Sequence, residues 1–209
     1  MTVFFDIDTQ IDFLFPAGAL YVPGAEAILD RVAALNRLAA SRGIPLISTM
    51  DAHSEDDPEF RLYPHHCVAG TDGQRKPAAT LLENRVVVPN APSDRNAAQI
   101  LLEKQQLDCF TNVNLPSILG RLNADRYFVY GVVTEICVKY AAFGLLKRGG
   151  RVILVSDAIR ALNDDAASRM IAEFRASGGE LMTAAAVREL VENSGAPGVQ
   201  ATLQPPGKP

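Results

Sequence analysis

The sequence predicts an α/β domain with three layers, α/β/α, around a doubly wound, mostly parallel, six-stranded sheet. Three observations carry that prediction. Short apolar runs alternate with segments of helical periodicity along the chain, the pattern that builds parallel sheets covered on both faces. The chain has 209 residues, 48% of them hydrophobic, enough for one well-filled core and short for two ordinary domains. Finally, several apolar runs end on residues able to do chemistry: Asp8 after Val3 to Ile7, Asp51 after Leu46 to Met50, Lys104 after Ile100 to Leu102, and Cys137 after Tyr127 to Val133. Parallel strands bring such carboxyl ends to one edge of the sheet, where open α/β folds place their ligands.

The first strand is Val3 to Ile7. Between Pro23-Gly24 and Gly43, apolar residues at Ala25, Ile28, Leu29, Val32, Leu35, Leu38 and Ala39 recur at helical spacing, and Gly43 is a C-terminal stop. The run Pro45 to Met50 is the next strand. A polar stretch from Asp51 to Lys76, rich in Asp, Pro, His and Gly, is too long for a simple connector, and its His and acid content favours a functional loop. Arg85 to Val88 and Ala98 to Leu102 compete to be the third strand across the turn-like Pro89-Asn90-Ala91-Pro92-Ser93. Leu115 to Leu122 reads as helix, Arg126 to Val132 as strand, Glu135 to Arg148 as helix and Arg151 to Ser156 as strand. Asp164 to Ser177 is helix, Glu180 to Thr183 a short strand, and Ala184 to Glu192 a last helix. The domain therefore spans 1–192. The tail 193–209, with Gly, Pro, Ser and Gln and little to bury, is expected to fray or pack loosely.

Charge narrows the partners. Twenty basic residues against 24 acidic ones leave no electrostatic footprint for nucleic acid or an anionic membrane. Small molecules or proteins are expected instead. Three cysteines without regular spacing do not make a disulfide framework and fit reduced thiols in a cytoplasm. No export signal is visible at the N-terminus, and no apolar run approaches the roughly 20 residues that cross a bilayer. No glycine-rich phosphate loop is present, since Gly70-Thr71-Asp72-Gly73-Gln74-Arg75-Lys76 has the wrong spacing.

The chemistry concentrates at the strand ends. Cys137 follows a strand through the turn Thr134-Glu135-Ile136 and falls in the first turn of a helix, where unpaired N–H groups lower a thiol's pKa and can hold an oxyanion. A buried structural cysteine is the alternative. Asp8 closes a strand of apolar neighbours, so its carboxylate needs a partner, and Lys104 at another strand end can supply it. Alone, Lys104 reads as a solvated surface lysine. All three histidines, His53, His65 and His66, fall in the loop from Asp51 to Lys76. Asp51, His53, Glu59 and His66 give a mixed N and O set suited to a divalent metal ion, zinc, iron or manganese. Capping by Asp51 and hydrogen-bonded histidines would explain the same residues without a metal.

With these residues in place, the chain resembles the isochorismatase-like cysteine hydrolases, and within them the nicotinamidase branch. The resemblance runs from Val3 to about Leu190. It rests on Phe5-Asp6-Ile7-Asp8-Thr9-Gln10-Ile11-Asp12-Phe13, Asp51-Ala52-His53, and Tyr63-Pro64-His65-His66-Cys67-Val68-Ala69-Gly70-Thr71-Asp72-Gly73. Glu103-Lys104 with Asp108 and Phe110, and Gly131-Val132-Val133-Thr134-Glu135-Ile136-Cys137-Val138, complete it. The resemblance implies the isochorismatase-like hydrolase fold and a catalytic triad of Asp8, Lys104 and Cys137. It further implies a cis peptide between Val133 and Thr134, and an oxyanion hole from the N–H groups of Thr134 and Cys137. A metal held by Asp51, His53 and His66 would lie beside the triad, and Phe13, Tyr63 and Phe110 would wall the substrate. The implied reaction is hydrolysis of a small carboxamide through a thioester, with nicotinamide the first candidate and homo-oligomers the usual assembly. Two departures stand out: Glu59 where nicotinamidases usually carry a further histidine, and Tyr63 where they often carry tryptophan. The stretch Lys104 to Asn112 looks more like the broader cysteine hydrolases. A metal-independent amidase for a linear or ureido substrate, and a noncatalytic binding protein of the same fold, remain open at this point.

Overall fold

Among the described residues, seven strands, all paired in parallel, form one sheet. The computed structural model describes residues 1–194. The strands are β1 (Thr2–Ile7), β2 (Leu46–Asp51), β3 (Arg85–Val88), β4 (Gln99–Lys104), β5 (Arg126–Val132), β6 (Arg151–Arg160) and β7 (Glu180–Met182), in the order β3-β4-β2-β1-β5-β6-β7. The expected six-stranded sheet is thus corrected to seven, because both competitors for third strand are strands. Residues 85 to 88 pair in parallel with residues 99 to 102, and the connection between them is an irregular stretch instead of a helix. That missing crossover helix made two parallel strands read as alternatives.

Alternation along each strand feeds two separate cores. One face sends Val3, Phe5 and Ile7 of β1 with Val129 and Leu154 against α3 (Leu115–Leu122), α4 (Lys139–Lys147) and α5 (Asp164–Ala176). The other sends Phe4, Phe128, Tyr130 and Ile153 against α2 (Leu29–Ser41) and α6 (Ala184–Asn193). A short helical turn, α1 (Ile11–Leu14), precedes α2. The long helix expected from Ala25 begins as a 3-10 turn, Ala25–Ile28, and becomes α-helical at Leu29. It stops where Gly43 takes a left-handed φ of 61° and Ile44 N–H returns to Ala39 O at 2.9 Å.

Helix boundaries follow capping chemistry. Asn163 caps α5 by accepting from Ala166 N–H at 2.8 Å, with Asp164 and Asp165 in the first turn. The last helix runs through Asn193, one residue into the expected tail, and 195–209 of that tail lies outside the described residues. Among the described residues, no helix is long and apolar enough to cross a membrane.

Candidate active site and metal centre

The carboxyl ends of β1, β2, β4 and β5 meet in one crevice, and register decides who faces whom. Asp51 and Lys104 are register partners at the ends of β2 and β4, so their side chains emerge together. Lys104, fully buried, forms ion pairs with Asp51 Oδ1 and with Asp8 Oδ2, the latter at 2.9 Å, and its Nζ stands 3.9 Å from Cys137 Sγ. Asp8 Oδ1 accepts from the Thr49 hydroxyl at 2.7 Å. Asp8 itself sits at a left-handed φ of 47°, a conformation an L-residue adopts only where its surroundings hold it. The three residues expected to act together are therefore brought together. Lys104 differs from the expectation in serving two carboxylates instead of one.

Cys137 lies in a π-helical turn, Thr134–Val138, closed by Val138 N–H to Val133 O at 3.1 Å and continued by α4. The cis peptide is Val132-Val133, one residue earlier than the expected Val133-Thr134. Beside it, Gly131 is required: a Cβ there would meet Ile7 O at 2.0 Å, so only glycine lets β5 approach β1 so closely.

The thiol's acidity is the second correction. Burial pushes the Cys137 thiol well above its usual pKa, and the Asp8 and Asp51 carboxylates push the same way, while Lys104 opposes them. The helix end, expected to lower it, offers about half a unit charge. Desolvation and two nearby carboxylates outweigh that and favour the neutral SH. For Lys104, burial disfavours the ammonium, but Asp51 and Asp8 outweigh it and hold the lysine charged.

Next to this cluster, Asp51, His53 and His66 bring one ligand atom each within 4.8 Å of one another, all three side chains buried. Their hydrogen bonds orient the rings. His66 Nδ1 lies 2.7 Å from Pro64 O and must donate there, which leaves Nε2 with its lone pair; His53 Nδ1 lies 3.0 Å from Asp57 Oδ2. His53 Nε2 is buried with no hydrogen-bond partner, an orphan that a cation would satisfy. Burial lowers the His66 pKa, against the pull of the Pro64 carbonyl, and keeps the imidazole in the neutral form that binds metals. Glu59 Oε1 stands 3.8 Å from His66 Nε2, and burial raises its pKa. Burial also pushes Asp51 up to about 6, offset by Lys104 and reinforced by Asp8. The residues fit a divalent cation held by one carboxylate and two imidazoles, with the Glu59 carboxylate in reach as a fourth ligand.

Phe13 and Tyr63 line the crevice as expected, their rings 5.4 and 6.4 Å from that of His66. Phe110 does not. It packs on α4, where a Cβ on Gly144 would meet its ring at 2.2 Å, and borders a separate surface groove with Tyr140 and Phe143. Leu107, from the same segment, faces the crevice instead, with Leu20, Val22, Ile136 and Leu162. None of these five carries a chemical signature that sequence reading could find. Gln10 and Asp57 are polar residues the sequence reading passed over. Gln10 bonds Asp51 N–H at 2.7 Å, Asp51 O at 2.9 Å and Gln74 O at 2.8 Å, and Asp57 follows His53 by one helical turn, a spacing that could have flagged it.

A doubly wound α/β protein with a buried thiol, carboxylate and lysine beside a cation-ready pocket is the class these observations define. Within that class, residues 2–186 match the family model for the isochorismatase domain, and the chain belongs to that family. It is 26% identical to the nicotinamidase of Escherichia coli K12 over 206 residues, covering 86% of this chain and 93% of that one. Among solved structures it is similar to the pyrazinamidase of Pyrococcus horikoshii in complex with zinc, at 28% identity and a TM-score of 0.75 over 87% of this chain and 98% of that one. It is likewise similar to PnC1 from L. infantum in complex with nicotinate, at 28% identity and a TM-score of 0.73 over 88% and 93%.

Proposed function

We propose that this chain is a metal-assisted thiol amidase that cleaves the C–N bond of a small, uncharged carboxamide, with nicotinamide the first substrate to try. The observation that carries the reading is the linked set Asp8, Lys104 and Cys137 at 2.9 and 3.9 Å, opening on an apolar crevice. Similarity to a nicotinamidase, to a zinc-bound pyrazinamidase and to a nicotinate complex supports the same reading.

A thiol pushed toward its neutral form by burial favours a coupled first step. Asp8 takes the Cys137 proton as the sulfur attacks the amide carbonyl, so no free thiolate accumulates against the two carboxylates. Lys104 pairs with Asp8 at 2.9 Å and stands 3.9 Å from the sulfur, where its charge offsets the negative charge that passes between the two as the proton moves. The N–H groups of Thr134 and Cys137 are the proposed donors to the oxyanion; those of Ile136 and Val138 are already bonded to Val133 O. Asp8 then protonates the departing ammonia, and water attacks the thioester with Asp8 again as base. Asp51, His53, His66 and Glu59 would hold the cation, which supplies a Lewis-acid contact for a ring nitrogen or carbonyl oxygen of the substrate.

Charge favours an uncharged substrate over a ureido acid. Asp8, Asp51 and Glu59 line the crevice, and its nearest basic side chain, Lys104, is engaged by two of them, so a substrate carboxylate would meet repulsion from the acids with only the metal to offset it. The open space is about 30 Å³, room for about one water, so binding requires wall side chains to shift, and Leu162, 45% exposed, is the least enclosed of them.

Ammonia release from nicotinamide, with and without a chelator, tests the proposal, with Cys137→Ala as control. Release that the chelator suppresses, and that falls by about a thousandfold or more in Cys137→Ala, is the expected result. Wild-type release in Cys137→Ala would end the thiol reading. No release from metal-loaded protein would move the search to other neutral amides.

A further inference from the structure

A second buried lysine lies behind the first. Lys76 closes the loop that begins at Asp51, and its ammonium is fully buried on the α2 side of the sheet. It sits 3.2 Å from Asp6 Oδ2 and donates to Thr9 Oγ1 at 2.9 Å, while the Thr9 hydroxyl donates to Asp6 Oδ1 at 2.6 Å. Asp6 Oδ2 also accepts from Ser48 at 3.1 Å and Asn36 at 3.3 Å. A carboxylate inside a strand whose neighbours Phe4, Phe5 and Ile7 are buried hydrocarbons is a costly thing to bury.

A buried ion pair is weak evidence for a role in stability, because apolar residues of similar volume often replace such pairs without loss. Its location suggests what it does instead. Asp6 and Thr9 bracket Asp8, the residue at φ 47°, and Lys76 ends the segment that carries Asp51, His53, Glu59, Tyr63 and His66. Beside it, Ile11 N–H bonds Arg75 O at 2.9 Å and Asp12 N–H bonds Gly73 O at 3.1 Å, so residues 73 to 76 run along residues 9 to 12. The Asp12 carboxylate adds a bond from Cys67 N–H at 2.7 Å, next to His66.

We propose that Asp6, Thr9 and Lys76 form a positioning clasp, which fixes the Asp8 turn relative to the loop carrying the metal ligands and so sets the alignment of Asp8 with the Cys137 thiol. The inference rests on the amidase reading only for what Asp8 is used for; the alignment can be measured without a substrate.

The measurement is the rate of Cys137 alkylation by iodoacetamide, located by peptide mass mapping, alongside zinc affinity by competition with a chromophoric chelator and thermal melts. Thr9→Val keeps the shape of the side chain and removes the bridging hydroxyl; it should slow Cys137 alkylation by about tenfold or more and weaken zinc binding, and Thr9→Ser should restore both. The double variant Asp6→Leu/Lys76→Met should melt close to wild type yet alkylate and bind zinc as poorly as Thr9→Val. Wild-type alkylation and zinc affinity in both Thr9→Val and a folded double variant would overturn the clasp and leave it a structural ion pair. Should the double variant fail to fold, the Thr9→Val and Thr9→Ser pair decides alone. Wild-type protein whose Cys137 alkylates readily but which releases no ammonia from any neutral amide would sink the amidase reading while leaving this test intact.

Discussion

Two lysines are buried on either side of β1, and they differ in what surrounds them. Lys76 meets one carboxylate, Asp6, whose two oxygens take four contacts from Thr9, Asn36, Ser48 and the lysine itself. Lys104 meets two carboxylates and a thiol, and its neighbourhood holds His53 Nε2, buried without a hydrogen-bond partner. The first cluster is neutral and satisfied. The second holds two carboxylates against one lysine and an unpartnered imidazole nitrogen, which is what a site needs in order to take a proton or a cation. Burial of a charge does not by itself mark chemistry; a buried polar atom left without a partner points to it.

Removing each lysine sharpens the contrast most. Lys104→Met leaves Asp8 and Asp51 facing each other without a cation, and should cost about 3–5 kcal/mol in denaturant unfolding and lower turnover by about a thousandfold. Lys76→Met should cost similar stability and far less turnover. Equal losses of turnover in the two variants would erase the distinction.

Asp51→Ala should release the bound metal, read by elemental analysis, and unchanged metal content would remove Asp51 from the ligand set. The same carboxylate sets a pH dependence. Its folded pKa, raised to about 6 from 3.8, favours the protonated group in the metal-free fold, so its contribution to stability is full below 3.8 and is lost as pH rises through about 6. Metal binding takes the ionised form, so zinc affinity should fall by about tenfold per pH unit below about 6 and level off above it. Flat affinity between pH 5 and 7, titrated calorimetrically at about four pH values, would contradict this assignment.

The smallest effect separates the crevice from the outer groove. Phe110→Ala, which touches α4, should leave kcat/KM within about twofold, whereas Tyr63→Ala should raise KM for the amide by about tenfold. A Phe110→Ala variant with a raised KM and unaltered melting would return that ring to the substrate wall.

Much of this was legible in the chain. Parallel strands with apolar interiors announce themselves through composition and spacing, and strand ends of known sequence must share one edge, so Asp8, Asp51, Lys104 and Cys137 could be placed together before any coordinates. The histidines stood out because all three occupy one loop. Phe110 was misplaced because an aromatic near a strand end reads the same whether it turns toward the crevice or toward Gly144. Lys76 passed for a loop residue at the end of a polar run.

The sequence by itself determined the alternation of elements, the edge on which the reactive groups gather, and the kind of chemistry they support. These follow from local hydrophobic periodicity and residue type. Tertiary structure alone decided that β3 and β4 are both strands, that Lys104 bridges two carboxylates, that burial works against a free thiolate at Cys137, and that Lys76 is buried against Asp6. Each of those depends on distance and desolvation between segments far apart in the chain, and the energy of a buried charge is set by its neighbours in space.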